Sequence, residues 1–168
     1  MQPSNKVERI AVKSGAKADK PTEGSPGQVD AMLCFAIYGA AHAFTRAYKP
    51  LLDPLGLTYP QYLVMLTLWA EDGLPVKTIG ERLGLDSGTL SPLLKRLEQA
   101  QLVKRLRDKQ DERQVKILLT PKGDALRKEA GGVMQAVGSA TGCSLQEVEA
   151  LRDGLQGLRR RLLQQPAD

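Results

Sequence analysis

Two cysteines are the side chains in this 168-residue sequence with the most distinctive chemistry. Cys34 and Cys143 lie far apart in the chain, and His42 is the single histidine. A structural zinc site usually needs about four nitrogen or sulfur ligands, so we expect no metal site and no cofactor here. Two distant cysteines in a cytosolic chain are more often redox-active or inert than joined as a structural disulfide.

Cys34 falls about one turn inside a predicted helix that begins near Asp30. The partial positive charge of a helix N-terminus favours the thiolate, which is the form that attacks peroxides. No lysine or arginine lies near Cys34 in the sequence, so further stabilisation must come from hydrogen bonds. A small buried core residue is the usual role of a free cysteine, and the residues alone leave both interpretations open.

The first 28 residues differ in composition from the rest of the chain. They hold three prolines, three glycines and no apolar periodicity, so we expect a disordered tail. No apolar run follows their basic residues, which argues against a secretory signal, and no stretch has the length of a membrane span. We therefore expect a cytoplasmic protein with one globular domain over residues 29–168.

Two short predicted helices follow one another in the middle of the chain. Val76, Ile79 and Leu83 predict a helix that stops at Gly84, and a second helix begins near Ser87 after a tight turn. This arrangement is typical of a helix-turn-helix. The face of the second helix opposite its leucines presents small polar and basic residues, namely Ser87, Thr89, Ser91, Lys95 and Arg96.

A β-hairpin is predicted directly after this pair of helices. Two β-prone runs, residues 102–106 and 115–119, flank a polar loop that contains Lys109 and Arg113. This is the layout of a wing, from which an arginine could enter a minor groove. Between residues 87 and 113, seven basic and four acidic residues give a local charge of +3, within +5 for the chain. Composition alone does not distinguish a solvated surface from a phosphate-binding one.

The first and last predicted helices carry long apolar stripes. Apolar residues recur at steps of three and four along residues 30–52. Near the C-terminus, residues 144–147 form a capping box, and leucines at heptad-like steps follow it. A further helix is predicted from Pro121, with Gly131 and Gly132 expected to loosen it. The stripes suggest a dimer interface, although packing within one chain is not excluded by periodicity.

Six runs of residues match a family pattern. They are Leu33–Tyr38, Tyr48–Leu52, Leu57–Tyr62, Asp86–Leu90, Pro92–Glu98 and Asp111–Val115. In these runs the chain resembles the organic hydroperoxide resistance regulators, a branch of the MarR family. The resemblance covers roughly residues 30 to 163.

The resemblance implies a mainly α fold with a small β wing, in which a winged helix-turn-helix forms a homodimer. The first, fifth and sixth of the predicted helices would form the dimerisation region, from residues 29–56 and 121–163, around a DNA-binding lobe at about 57–120. Such a protein binds palindromic operator DNA and represses until an organic hydroperoxide oxidises it. It is not an enzyme.

The resemblance also implies roles for individual residues. Cys34 would be the redox sensor, with Tyr48 and Tyr59 as hydrogen-bond partners of its thiolate, and Cys143 would be the resolving cysteine of a two-cysteine subtype. Tyr48 follows Cys34 by fourteen residues, which is roughly 21 Å along a straight helix. If Tyr48 contacts the thiolate, it must therefore come from the other subunit.

For DNA binding, we expect Thr89, Ser91 and Pro92 to meet base edges and thymine methyl groups, while Lys95 and Arg96 hold phosphates. Ser87 on the same helix and Lys109 in the wing are also expected to bind DNA. Pro92 lies inside the second helix, where it removes a backbone hydrogen bond, so we expect local distortion. In the wing, we expect Asp111 to orient Arg113.

Two other functions use part of the same features. A thiol peroxidase would also use Cys34, but it would need neither a basic wing nor a helix-turn-helix. A MarR-type regulator of a phenolic or other small ligand would keep the DNA-binding half without a reactive thiol. A peroxide-sensing repressor uses both halves and is the function that we expect.

Overall fold

The computed structural model describes residues 29–107 and 114–164. The predicted Lys109, Asp111 and Arg113 lie outside these residues. The described elements are α1 (Leu33–Leu52), α2 (Tyr59–Ala70), β1 (Leu74–Pro75), α3 (Val76–Leu83), α4 (Ser87–Gln99), β2 (Val103–Arg107), β3 (Val115–Leu119), α5 (Pro121–Glu129), α6 (Val133–Ala140) and α7 (Leu145–Leu163). Short 3-10 turns span Val29–Ala31, Asp53–Leu55 and Ala130–Gly132.

At the starts of α2, α5 and α7, side chains accept hydrogen bonds from backbone N–H groups. The Gln61 side-chain oxygen accepts a hydrogen bond from the Thr58 backbone N–H at 2.8 Å, just before α2. Thr120 accepts from the Gly123 N–H at 3.0 Å before α5. Before α7, the predicted capping box is confirmed, because Ser144 and Glu147 exchange hydrogen bonds.

The three strands form one antiparallel sheet in the order β1-β3-β2. The hairpin of β2 and β3 pairs Val103 with Leu119 and Arg107 with Val115. The strand β1 has only two residues, and Leu74 pairs with Ile117 on the other edge of β3. The hairpin agrees with the predicted wing, whereas β1 was not predicted.

The chain divides into two units within α1, one ending at Tyr38 and the other starting at Gly39. In the first unit, the 3-10 turn and the first residues of α1 expose most of their side chains. The second unit contains the hydrophobic core, in which α2, α3, α4 and the sheet bury side chains such as Tyr62, Met65, Ile79, Leu90, Leu94, Leu97 and Ile117. Trp69 donates from Nε1 to the Gly123 carbonyl at 2.9 Å and so connects α2 to α5.

The structure corrects two details of the predicted elements. The first α-helix starts at Leu33 rather than near Asp30, so Cys34 is its second residue and not one turn inside it. The helix predicted from Pro121 is two α-helices separated by the turn at Ala130–Gly132, so the predicted sixth helix is α7. Helix α4 includes Pro92, as predicted.

Candidate nucleic-acid interface and cysteine cleft

Asp86 caps the start of α4, and its carboxylate accepts two hydrogen bonds from Thr89. One comes from the Thr89 backbone N–H and the other from its hydroxyl, both at 2.9 Å. These bonds favour the ionised carboxylate and lower the pKa of Asp86, with the backbone bond as the larger cause. The hydroxyl proton of Thr89 is thus used at the helix start, a role that the sequence analysis did not assign to it.

The outer face of α4 is open to solvent along its length. Leu90, Leu94 and Leu97 are buried against the core, so the opposite side points outward. All six residues of α4 predicted to meet DNA are exposed, namely Ser87, Thr89, Ser91, Pro92, Lys95 and Arg96. The structure therefore places these side chains on one accessible surface.

Further exposed basic side chains flank α4. Lys77 lies on α3, and Lys104 and Arg107 lie on β2. Lys104 and Arg107 were not predicted as site residues, although they contribute to the local charge of +3 between residues 87 and 113. The basic residues that follow Val103 in the sequence were the signal available for them.

Cys34 is exposed at the beginning of α1. Its neighbours in the chain are exposed and apolar: Met32 retains 52%, Leu33 62% and Phe35 42% of their accessible surface. The thiol is therefore accessible within an apolar surface, and it is not a core residue of the single chain.

Tyr48 and Tyr59 lie together, with ring centroids 4.6 Å apart. Tyr62 is also close, 5.8 Å from Tyr48, although the sequence analysis did not single it out. Burial raises the pKa of all three hydroxyls, and the proximity of Tyr59 raises the pKa of Tyr48 and Tyr62 further. These hydroxyls are therefore protonated and able to donate hydrogen bonds at neutral pH.

Cys143 lines an apolar cleft of about 540 Å³ between the second half of α1, α6 and α7. Tyr48 lines the same cleft, together with Ala40, Phe44, Met134, Gly138, Thr141, Val148, Leu151, Arg152, Leu155 and Gln156. The Cys143 backbone N–H donates to the Thr141 hydroxyl at 3.2 Å, and its thiol lies 3.6 Å from the Thr141 carbonyl oxygen. The structure thus brings Tyr48 and Cys143 to one cleft, and Tyr59 is not among the residues that line it.

No group of three or more His, Cys, Asp or Glu side chains within residues 29–107 and 114–164 could hold a metal ion. Among the same residues, no helix has the length and apolar character needed to cross a membrane.

The element order and the exposed basic face of α4 define a winged-helix DNA-binding protein. Residues 46–129 match the family of the transcriptional regulator SarA/Rot. The HTH-type transcriptional regulator TtmR of Methylorubrum extorquens (strain PA1) is 57% identical over 134 residues, 80% of this chain and 69% of that protein. The organic hydroperoxide resistance transcriptional regulator of Bacillus subtilis (strain 168) is 46% identical over 125 residues, 74% and 83% of the two chains.

Among solved structures, the reduced AbfR bound to DNA matches with a TM-score of 0.66 and 40% identity, over 79% of this chain and 93% of that one. AbfR is from Staphylococcus epidermidis. Its disulfide-formed structure matches with a TM-score of 0.56 and 44% identity, over 75% and 88% of the two chains. This chain belongs to the MarR family of winged-helix transcriptional regulators, and it is not an enzyme.

Proposed function

We propose that this regulator is a redox-sensing repressor that binds palindromic operator DNA as a homodimer in the cytoplasm. An organic hydroperoxide oxidises Cys34, and Cys143 of the partner subunit then forms a disulfide with it, which releases the DNA. The domain division belongs to the same proposal: residues 57–120 bind DNA, residues 29–56 and 121–163 dimerise, and residues 1–28 are a tail.

The observation that carries the proposal is that Tyr48 and Cys143 line one cleft. Tyr48 follows Cys34 by fourteen positions, which is roughly 21 Å along a straight helix, so the two do not meet within one helix. If Tyr48 serves the thiolate of the partner's Cys34, that thiolate enters the cleft in which Cys143 lies. The protonated hydroxyls of Tyr48 and Tyr59 would then donate hydrogen bonds to the thiolate.

The chemistry balances without a cofactor. The Cys34 thiolate attacks the outer oxygen of the hydroperoxide, the O–O bond breaks, and the organic part leaves as an alkoxide that takes a proton to become an alcohol. Cys34 is then a sulfenic acid. The Cys143 sulfur of the other subunit attacks the Cys34 sulfur, a disulfide forms, and the sulfenic hydroxyl leaves with a proton as water.

Two relatives with redox-related descriptions support the redox part of the proposal. One is an organic hydroperoxide resistance regulator, and the other is a regulator of which reduced and disulfide-formed structures exist. The two subunits must approach closely for the disulfide, since the Cβ atoms of a bonded pair lie about 3.5–4.5 Å apart. Bond formation at Cys143, directly before the Ser144 cap, would move α7 as a unit.

The test is a DNA mobility-shift assay on a duplex that the protein selects from a random-sequence library. Cumene hydroperoxide at about one equivalent per subunit should release the wild-type protein, and dithiothreitol should restore binding. We expect Cys34→Ser to bind the duplex normally and to stay bound after hydroperoxide, because the variant lacks the reacting sulfur. Release of Cys34→Ser by hydroperoxide would show that Cys34 is not the sensor.

Non-reducing gels separate the two cysteine mechanisms. Wild type should form a covalent dimer after hydroperoxide, and both Cys34→Ser and Cys143→Ser should lose it. A covalent dimer that persists in Cys143→Ser would indicate pairing of Cys34 with Cys34. Release of DNA by a phenolic compound, equal in wild type and Cys34→Ser, would favour a regulator of a non-oxidant ligand instead.

A further inference from the structure

Arg105 on the strand β2 is bound to the helix α4 at two points. Its guanidinium Nε lies 3.2 Å from Oε2 of Glu98, near the end of α4. Its Nη2 donates to the carbonyl oxygen of Ser91, two turns earlier on the same helix, at 3.4 Å. One side chain of β2 therefore lies along α4, the recognition helix of the helix-turn-helix, from Glu98 to Ser91.

Glu98 also binds the backbone of the same residue. Its Oε1 accepts a hydrogen bond from the Arg105 backbone N–H at 3.3 Å. In the described sheet, β2 pairs with β3 along one edge and has no partner strand along its other edge. The Arg105 N–H lies on this unpaired edge. The carboxylate thus fixes both the backbone and the side chain of Arg105, and it occupies the edge of the strand.

The ion pair is partly withdrawn from solvent, since Arg105 retains 36% and Glu98 41% of their side-chain surface. A guanidinium is planar and can bind two acceptors in fixed directions, so it defines an angle between the groups that it joins. Charge neutralisation by Glu98 alone would leave the Arg105 side chain free to rotate, whereas the hydrogen bond to the Ser91 carbonyl fixes its direction along α4. These contacts connect the strand that leads into the wing to the face of α4 that carries Ser91.

We propose that Glu98 and Arg105 form a clamp that holds the wing at a fixed orientation to the recognition helix. Arg105 is then a positioning residue for DNA binding, and its charge is used by Glu98 rather than by a phosphate. The inference rests on the DNA-binding part of the proposed function, and it does not depend on the chemistry of Cys34.

The clamp and simple electrostatics predict opposite changes in DNA affinity when the Glu98 carboxylate is removed. Removing an acidic side chain near a DNA-binding surface strengthens binding if charge alone matters. If Glu98 holds the wing in place, Glu98→Ala should instead weaken binding to the selected duplex by about threefold to tenfold. Binding to a random-sequence duplex should not weaken, because it depends on charge more than on the orientation of the wing.

Four variants and one control test this in full-length reduced protein. Glu98→Gln loses the same charge as Glu98→Ala but keeps an oxygen for the Arg105 N–H, so its affinity should lie between those of Glu98→Ala and wild type. The double variant Glu98→Ala/Arg105→Ala should bind no more weakly than Arg105→Ala alone, because each single change already opens the clamp. Glu81→Ala, which removes an exposed acid of α3, should bind the selected duplex at least as tightly as wild type.

Thermal unfolding of each variant shows whether the change impairs folding. A folding defect would weaken binding to the selected and to the random-sequence duplex alike, whereas loss of the clamp should weaken binding to the selected duplex only. The clamp is wrong if Glu98→Ala binds the selected duplex as tightly as wild type or more tightly, or if the effects of Glu98→Ala and Arg105→Ala simply add. A wild-type protein that selects no duplex at all would instead contradict the proposed function.

Discussion

The hydroxyls of Tyr48, Tyr59 and Tyr62 donate hydrogen bonds only while they keep their protons. Burial is the main reason that the pKa of each of them is raised above 10.0, and it acts on three rings packed against one another. Of the three, Tyr48 lines the cleft with Cys143, and a neutral hydroxyl there is the species that can donate to a thiolate or sulfenate. The same burial connects the protonation of these residues to the stability of the fold.

The tyrosines should make stability fall at alkaline pH. In the unfolded chain they lose their protons near pH 10.0, whereas in the folded protein they keep them to higher pH. Their contribution is therefore complete below about pH 10 and is lost as pH rises through the folded pKa. Urea unfolding at pH 8, 10 and 11 should show a smaller alkaline loss in Tyr59→Phe than in wild type. Equal losses in the two proteins would contradict the raised pKa of Tyr59.

At the scale of elements, α5 approaches the start of β2 closely at Gly123. A side-chain carbon added at Gly123 would overlap the backbone carbonyl oxygen of Leu102. The Gly123 carbonyl accepts the hydrogen bond from Trp69, so α5 cannot move away without breaking that bond. A glycine at this position is thus required by packing between α2, α5 and β2.

Gly123→Ala should therefore lower the free energy of unfolding by about 3 kcal/mol or more, since backbone atoms must shift to make room. Gly132→Ala is the matched control, because nothing lies within 4 Å of the added carbon and its φ of -90° suits any residue. It should be neutral or stabilise by up to about 0.5 kcal/mol. Urea unfolding of both variants measures the difference, and similar stabilities would show that α5 is not held by this contact.

The elements that the sequence predicted well are those with local signals. Thr58, Thr120 and Ser144 mark helix starts through hydrogen bonds to residues three positions away, and the β2–β3 hairpin follows from two β-prone runs. The strand β1 has two residues and exists only because Leu74 meets Ile117 across the chain, which no local pattern indicates.

The candidate site likewise has one part that local sequence patterns predict and another part that depends on tertiary packing. The exposed face of α4 follows from helical periodicity, and the six residues expected there are all exposed. The cleft shared by Tyr48 and Cys143 depends on how α1, α6 and α7 pack, which is a tertiary feature. The contacts of Arg105 with Glu98 and Ser91 also escaped prediction, because these residues lie 7 and 14 positions away on another element.

At the scale of the whole molecule, large apolar side chains remain uncovered in the single chain. Helix α7 buries none of its residues, and Leu145, Leu151, Leu155 and Leu162 keep between 48% and 74% of their surface. In the first unit, Leu33 and Phe35 at the start of α1 are also exposed. Several large apolar side chains left exposed along one helix, as on α7, usually mark an interface with another protein. A second copy of this chain is the partner that the proposed function requires.

Leu151→Asp should therefore convert a dimer into a monomer. Leu151 retains 59% of its surface in the single chain and lines the cleft with Tyr48 and Cys143, so a buried charge would be placed at the interface. Sedimentation equilibrium should give two chains for wild type and one for Leu151→Asp, whereas Gln146→Asp, a change at an exposed polar position of α7, should remain dimeric. Because a palindromic site is read by two lobes, the monomer should also bind the selected duplex far more weakly. A Leu151→Asp protein that remains a dimer would exclude this face of α7 from the interface, and with it the approach of the partner's Cys34 to the cleft.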